Sequence, residues 1–174
     1  MDFKKFIVIP VFIAFLAASF IVIDQLLNPL MPIVDKGGFG WVTFQAWAMY
    51  FLAGCTFKGG VRTFLGYVMG ILAAVLIFYL YGIFISMGFW ALPLAVLIVV
   101  VPMCAVERAP SFLDFVPALF VSSAVFFAFS KLYPTAKMTD WAITILVYCA
   151  IGMIYGIVTV SLRTAYEKKV AKPA

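Results

Sequence analysis

Six apolar runs, at roughly residues 6–27, 41–57, 63–84, 88–106, 115–131 and 140–162, follow one another with only short charged or Gly/Pro-rich joints between them. Each approaches the roughly 20 residues that an α-helix needs to cross a bilayer. The pattern predicts an all-α membrane protein of six transmembrane helices. Residues 1–174 then form one polytopic domain with a basic tail at 163–174. Composition agrees: the chain is 67% hydrophobic and 11% charged, with a mean hydropathy of +1.19. Soluble domains sit near one half apolar and one quarter charged, so a water-soluble fold is excluded. Six spans take up roughly 120 residues, and what remains is short loops and tails.

The joints are readable. Asn28-Pro29-Leu30-Met31-Pro32 ends the first helix, because each proline removes a donor and restricts the residue before it. Gly37-Gly38 and Gly59-Gly60 read as loops, and Pro93 and Pro102 fall inside the fourth span. The run from Phe6 to Ile23 is long for the core of a signal peptide and is followed by further spans, so it reads as the first helix.

Orientation follows from the basic residues. With the N-terminus inside, Lys4, Lys5, Lys58, Arg62, Arg108, Arg163, Lys168, Lys169 and Lys172 face the cytoplasm and Lys36, Lys131 and Lys137 face out. That is nine of the twelve, as the positive-inside rule requires. Trp41, Trp90 and Trp141 then lie at the outer ends of their helices, where interfacial tryptophans belong. The same scatter of basic residues over helix ends argues against nucleic acid, despite the formal charge of +5. No His is present, and Cys55, Cys104 and Cys149 lie far apart, so neither a metal site nor a cofactor is expected.

A shift of 76 positions superposes Phe44-Gln45-Ala46-Trp47-Ala48-Met49-Tyr50-Phe51 on Phe120-Val121-Ser122-Ser123-Ala124-Val125-Phe126-Phe127. Both read F-x-small-x-A-x-aromatic-F. The shift lays the second and third helices over the fifth and sixth, and three-helix halves insert with opposite orientation because three is odd. Two inverted three-helix repeats are one reading; chance matching among Phe- and Ala-rich helices is the other.

Few polar side chains fall within the spans. Asp24 lies about 27 Å beyond Phe6, Gln45 about 6 Å from Trp41, and Thr144 about 6 Å from Asp140, all toward the outer face. Ser122 and Ser123 lie about 12 Å from the inner end of their helix. These five residues are the candidate solute path; the competing reading makes Asp24 an interfacial group, solvated or paired with Lys36, Lys131 or Lys137, and the others helix contacts. An interfacial Asp24 tolerates replacement by Asn. Gly66-x-x-x-Gly70 and Gly152-x-x-x-Gly156 are packing motifs whose overlapping depths predict that the third and sixth helices meet there. They do not obey the 76-residue shift. In Glu107-Arg108-Ala109-Pro110-Ser111-Phe112-Leu113-Asp114 a local ion pair is expected, and Glu167 to Lys172 reads as a solvated end attracted to anionic lipid. Catalytic residues are not expected, since no G-x-S-x-G, H-E-x-x-H or P-loop sequence occurs.

The segment Trp41 to Leu76, with Gly54-Cys55-Thr56, Lys58-Gly59-Gly60 and the glycine-studded helix after it, resembles the bacterial inner-membrane family catalogued as domain of unknown function ten-ninety-seven. Phe115-Val116-Pro117-Ala118-Leu119-Phe120 resembles it too, and the likeness runs from about Trp41 to Gly156. It implies a compact polytopic protein of the bacterial inner membrane and brings no catalytic residues with it. The function expected is a small channel or transporter subunit for a neutral or weakly polar solute. A non-transporting scaffold or accessory subunit is the alternative. Expected partners are the lipid bilayer, a small neutral solute and, as an open option, further copies of the chain in a homo-oligomer.

Overall fold

The computed structural model describes residues 2–171. Among them every regular element is helical: α1 (Phe3–Phe6), α2 (Val8–Leu27), α3 (Gly40–Leu52), α4 (Phe57–Ile83), α5 (Ala91–Ala105), α6 (Val116–Leu132) and α7 (Met138–Ala171), with 3-10 turns at Asn28–Leu30, Ile85–Trp90 and Val106–Arg108. Four stretches are long and apolar enough to cross a bilayer: Phe3–Leu30, Phe57–Ile83, Ile85–Arg108 and Met138–Val170. α3 and α6 have 13 and 17 residues, which at 1.5 Å per residue extend about 20 and 25 Å.

Several boundaries differ from the expectation, for local reasons. The run expected at 41–57 stops at Leu52, because Gly54 (φ +94°) and Cys55 (φ +58°) turn the chain. Thr56 then starts α4, its hydroxyl accepting the Gly59 N–H at 2.9 Å, as an N-cap residue does for an orphan donor of the first turn. Gly59-Gly60 is therefore helical and not a loop. Both are buried, Gly59 against the Ala53 carbonyl and Gly60 against the Tyr50 ring. Pro93 sits in the first turn of α5, where its missing N–H breaks no helical bond, so only Pro102 is interior. α7 continues past the expected end at residue 162 to Ala171, with an Arg163–Glu167 ion pair at 2.9 Å. The basic tail is helical that far; Lys172 lies outside the described residues. The acid of the loop before α6 also finds a different partner: Asp114 pairs with Arg62 of α4 at 2.7 Å, and the guanidinium lies over the Phe115 ring.

Glycines decide which helices meet. A Cβ on Gly66 or Gly70 would collide with Ala118, Ser122 and the Leu119 carbonyl of α6. One on Gly152 or Gly156 would collide with the Thr43 carbonyl, Ala46 and Tyr50 of α3. The two motifs therefore do not face each other, as their depths had suggested. Each seats a different helix, and α4 against α6 and α7 against α3 are the most extensive interfaces. Depth along a helix axis says nothing about which face a residue occupies, and that is where the expectation failed. α4 and α7 touch elsewhere, with Gly60 beside Met153. Thr43 lies by Gly152 and Tyr50 by Gly156, so the chain runs in the same direction in α3 and α7; Gly66 by Ala118 and Gly70 by Ser122 give the same for α4 and α6. α2 lies on α7 and α3, and α5 on α4 and α6.

Candidate functional site

Phe39, which precedes α3, offers no side-chain cap to that helix, and the first N–H groups of a helix have no partner within it. Asp24 supplies the acceptor from α2. Its Oδ1 accepts the Phe39 N–H at 3.2 Å and its Oδ2 accepts the Gly40 N–H at 3.1 Å. The Tyr148 hydroxyl of α7 donates to Oδ1 at 2.6 Å. The carboxylate thus faces the positive end of the α3 dipole and joins three helices, with 4% of the residue exposed. Among the described residues it forms no ion pair with a lysine. Gly38 has no alternative here: its φ is +68°, and a Cβ would strike the Asp24 carboxylate. One turn nearer the chain's start, Phe20 is fully buried with its ring edge-on to Phe44, Tyr148 and Tyr155.

Beside Asp24 opens a recess of about 340 Å³ whose polar lining includes Gln25, Asn28 and Lys36, with Trp41 and Phe44 as its aromatic wall. Its rim is a loop held at both ends. Asn28 donates to the Asp35 carbonyl, the Asp35 N–H returns to Asn28 Oδ1 at 3.1 Å, and Tyr133 donates to Asp35 Oδ2 at 2.9 Å. Burial, then the hydrogen bond to Asp35 and the carboxylate's charge, push the Tyr133 phenol up to about 12 from an ordinary value near 10. A folded-state value above the unfolded one means that neutral Tyr133, through its burial first and its contact with Asp35 second, contributes fully below about pH 10 and loses that contribution as pH climbs toward 12. The thermal midpoint of the purified protein should therefore fall over that interval by more in wild type than in Tyr133→Phe. Equal slopes would show that the contact does not contribute.

Trp41 also walls a second space, a groove of about 310 Å³ between α3 and α6. Gln45, Ala48 and Met49 line it from α3, and Val121, Ala124, Val125 and Ala128 from α6. Thr43 Oγ1 donates to the Tyr148 carbonyl at 2.9 Å, and Ala46 abuts Gly152. Gln45 is therefore level with about Ile151, roughly 15 Å along α7 from Trp141. The expectation placed it nearer the outer surface because it measured from Trp41, and Trp41 itself is recessed by roughly 9 Å relative to Trp141.

The other three candidates lie apart from the groove. Ser122 is fully buried and turned to α4, donating toward the Gly66 and Leu119 carbonyls at 3.4 and 3.1 Å. Ser123 donates toward the Gly70 and Leu119 carbonyls at 2.7 and 2.9 Å. Thr144, also fully buried, donates to the Asp140 carbonyl one turn earlier at 2.8 Å. Of the five, the structure gathers Asp24 and Gln45 around Trp41 and places the hydroxyls in helix seams. Sequence reasoning missed Asn28, Asp35, Tyr133 and Tyr148. Asp24 and Asn28, one turn apart at the end of α2, were the available signal; nothing local marks Tyr148. Among the described residues no three of His, Cys, Asp or Glu gather to hold a metal.

Long apolar helices, apolar side chains such as Phe15, Leu26, Phe57 and Phe89 on the protein's outside and a polar cluster confined to one end define a helical integral membrane protein. The chain belongs to the family described as protein of unknown function (DUF1097), which it matches over residues 7–163. The match takes in α2 and Asp24, beyond the stretch from Trp41 to Gly156 that carries the resemblance. No curated protein and no solved structure matches the chain.

Proposed function

We propose that this chain is a channel or transporter subunit for a small neutral or weakly polar solute, and not an enzyme. In this reading it crosses the membrane six times as two inverted three-helix repeats, α2–α4 and α5–α7. The recess at Asp24 is the mouth, Trp41 the shared wall, and the α3/α6 groove the onward path. Both ends of the chain face the cytoplasm of a bacterial inner membrane, on the strength of the nine-to-three basic split.

The observation that carries the reading is the makeup of the groove. Gln45, Ala48 and Met49 face Val121, Ala124 and Val125, and each pair is separated by the same 76 residues. Helix packing follows suit: exchanging the halves turns the α3/α7 interface into α6/α4, α2/α7 into α5/α4 and α2/α3 into α5/α6, all of which occur. Gly152 sits on the Thr43 carbonyl and Ala46, and Gly70 on the Leu119 carbonyl and Ser122; Thr43 and Leu119, like Ala46 and Ser122, are again 76 apart. The glycines themselves are 82 apart, because α6 is four residues longer than α3 and its following loop is longer too. That insertion hid them from a fixed shift. A groove on such a pseudo-axis is where inverted-repeat transporters place substrate, and its lining of alanines, valines, Met49 and Trp41 with one amide suits an uncharged solute.

Swelling of proteoliposomes in glycerol or urea tests this. Flux should exceed that of protein-free vesicles and fall at least severalfold in Ala48→Trp, which fills the groove. Flux equal to protein-free vesicles for both solutes would end the reading. The scaffold alternative draws on the seams at Ser122 and Ser123, where every hydroxyl is bonded to backbone and the surroundings are apolar.

A further inference from the structure

We infer that two copies of this chain pair across the α3/α6 groove, each setting its Gln45 amide against the other's. The pairing rests on the six-span part of the reading above, which puts α3 in the hydrocarbon; a second copy seated in the groove closes it to solute, so the pairing competes with the transport part of that reading. Gln45 is exposed on the groove, and its amide has no hydrogen-bond partner among the described residues. In lipid no water is available to satisfy it. A glutamine side chain carries both an acceptor and donors, so the same residue related by a two-fold axis completes it, as an isologous interface requires.

The shape fits a helix. Ala48, Ala124 and Ala128 form a low floor between the ridges of Trp41 and Met49, and small residues allow helix backbones to approach closely. Helix length points the same way: α3 extends about 20 Å against a hydrocarbon core of about 30 Å, and an exposed short helix is relieved by association with other protein. Two further grooves open to the same surroundings. One, between α4 and α7, is lined by residues such as Phe57, Phe64 and Ile157; the other, among α4, α5 and α6, by Leu72, Val99 and Met103. Both are apolar throughout, and lipid chains fill them without loss. The amide sets the α3/α6 groove apart and selects a polar-bearing helix over an acyl chain.

Sedimentation equilibrium of the full chain in density-matched detergent reads the pairing directly. Wild type should be a reversible dimer, and Gln45→Leu should raise its dissociation constant about tenfold, the loss of two interhelical amide hydrogen bonds. Ala124→Phe should leave a monomer. Both positions are exposed in the single chain, so at concentrations where the wild type is itself monomeric both variants should share its thermal midpoint, which separates lost pairing from unfolding. Ala48→Cys should form a disulfide between copies in liposomes above the background of native Cys55 and Cys104. A dimer unaltered by both substitutions overturns the proposal. A monomeric wild type overturns the pairing alone; free reaction of its Gln45→Cys variant with a water-soluble maleimide then marks the groove as hydrated, as the transport reading requires. A dimer without solute flux upholds the pairing and removes transport.

Discussion

Gly152→Leu is expected to remove a large part of the protein's stability, while Gly82→Leu leaves it intact. Both exchange a helical glycine for leucine in a long apolar helix, and propensity favours leucine at both. The difference is what the new side chain meets. At Gly82 a Cβ has nothing within 4 Å, whereas at Gly152 it meets Ala46, the Thr43 carbonyl and the Trp47 amide. Overpacking a core costs about 1–3 kcal/mol when neighbouring side chains can yield. Here two of the three neighbours are backbone atoms of α3 and the third is the Ala46 Cβ fixed to it, which can withdraw only by opening the α3/α7 interface, so the loss should exceed about 4 kcal/mol, a large part of a total near 5–15 kcal/mol. Gel filtration and thermal unfolding in detergent decide it. A monodisperse Gly152→Leu protein with the wild-type midpoint would show that this seam does not hold the helices together.

The second large effect is at Asp24, where the structure reverses the sequence expectation that Asn is tolerated. All three bonds to Asp24 are donated to it, two at Oδ1 and one at Oδ2. Asn keeps one oxygen and turns an NH₂ group toward either the Gly40 N–H or the Phe39 N–H and Tyr148 hydroxyl. Leaving a buried donor unpaired costs about 1–3 kcal/mol, and the charge opposite the α3 dipole is lost as well. Asp24→Asn should lower stability by at least that much, and Tyr148→Phe, which removes one donor, by only about 1 kcal/mol. Thermal midpoints of the two variants should rank in that order. An Asn variant as stable as wild type would mean that α2 is held by Phe20 and its aromatic partners alone.

Hydropathy made the helical membrane class legible, since apolar length is a local property. It did not make the end of α3 legible, because Ala53 to Phe57 is as apolar as the helix before it. The turn there depends on the φ angles of Gly54 and Cys55 and on the Thr56 cap. Thr56 is an N-cap residue type, but the glycine pair that follows it reads locally as a loop. Asp24 stands out in the sequence as an acid within an apolar helix, yet its partners come from residues 15, 16 and 124 positions away, which no local pattern reveals. The glycine motifs announced close packing without naming the face, so the pairing of α4 with α6 and α7 with α3 had to come from tertiary structure.

That exchange of partners sets an order of events during synthesis. α3 packs chiefly on α7 and α4 on α6, so neither early helix finds its principal neighbour until the later ones exist. Asp24 waits in the same way, since Tyr148 is made 124 residues after it. At roughly 5–20 residues per second the ribosome takes about 6–25 s to cover that distance. Through that interval α2 carries a carboxylate without its full set of donors, and the nascent first half must be shielded by lipid or by the insertion machinery until the last helix arrives to close it.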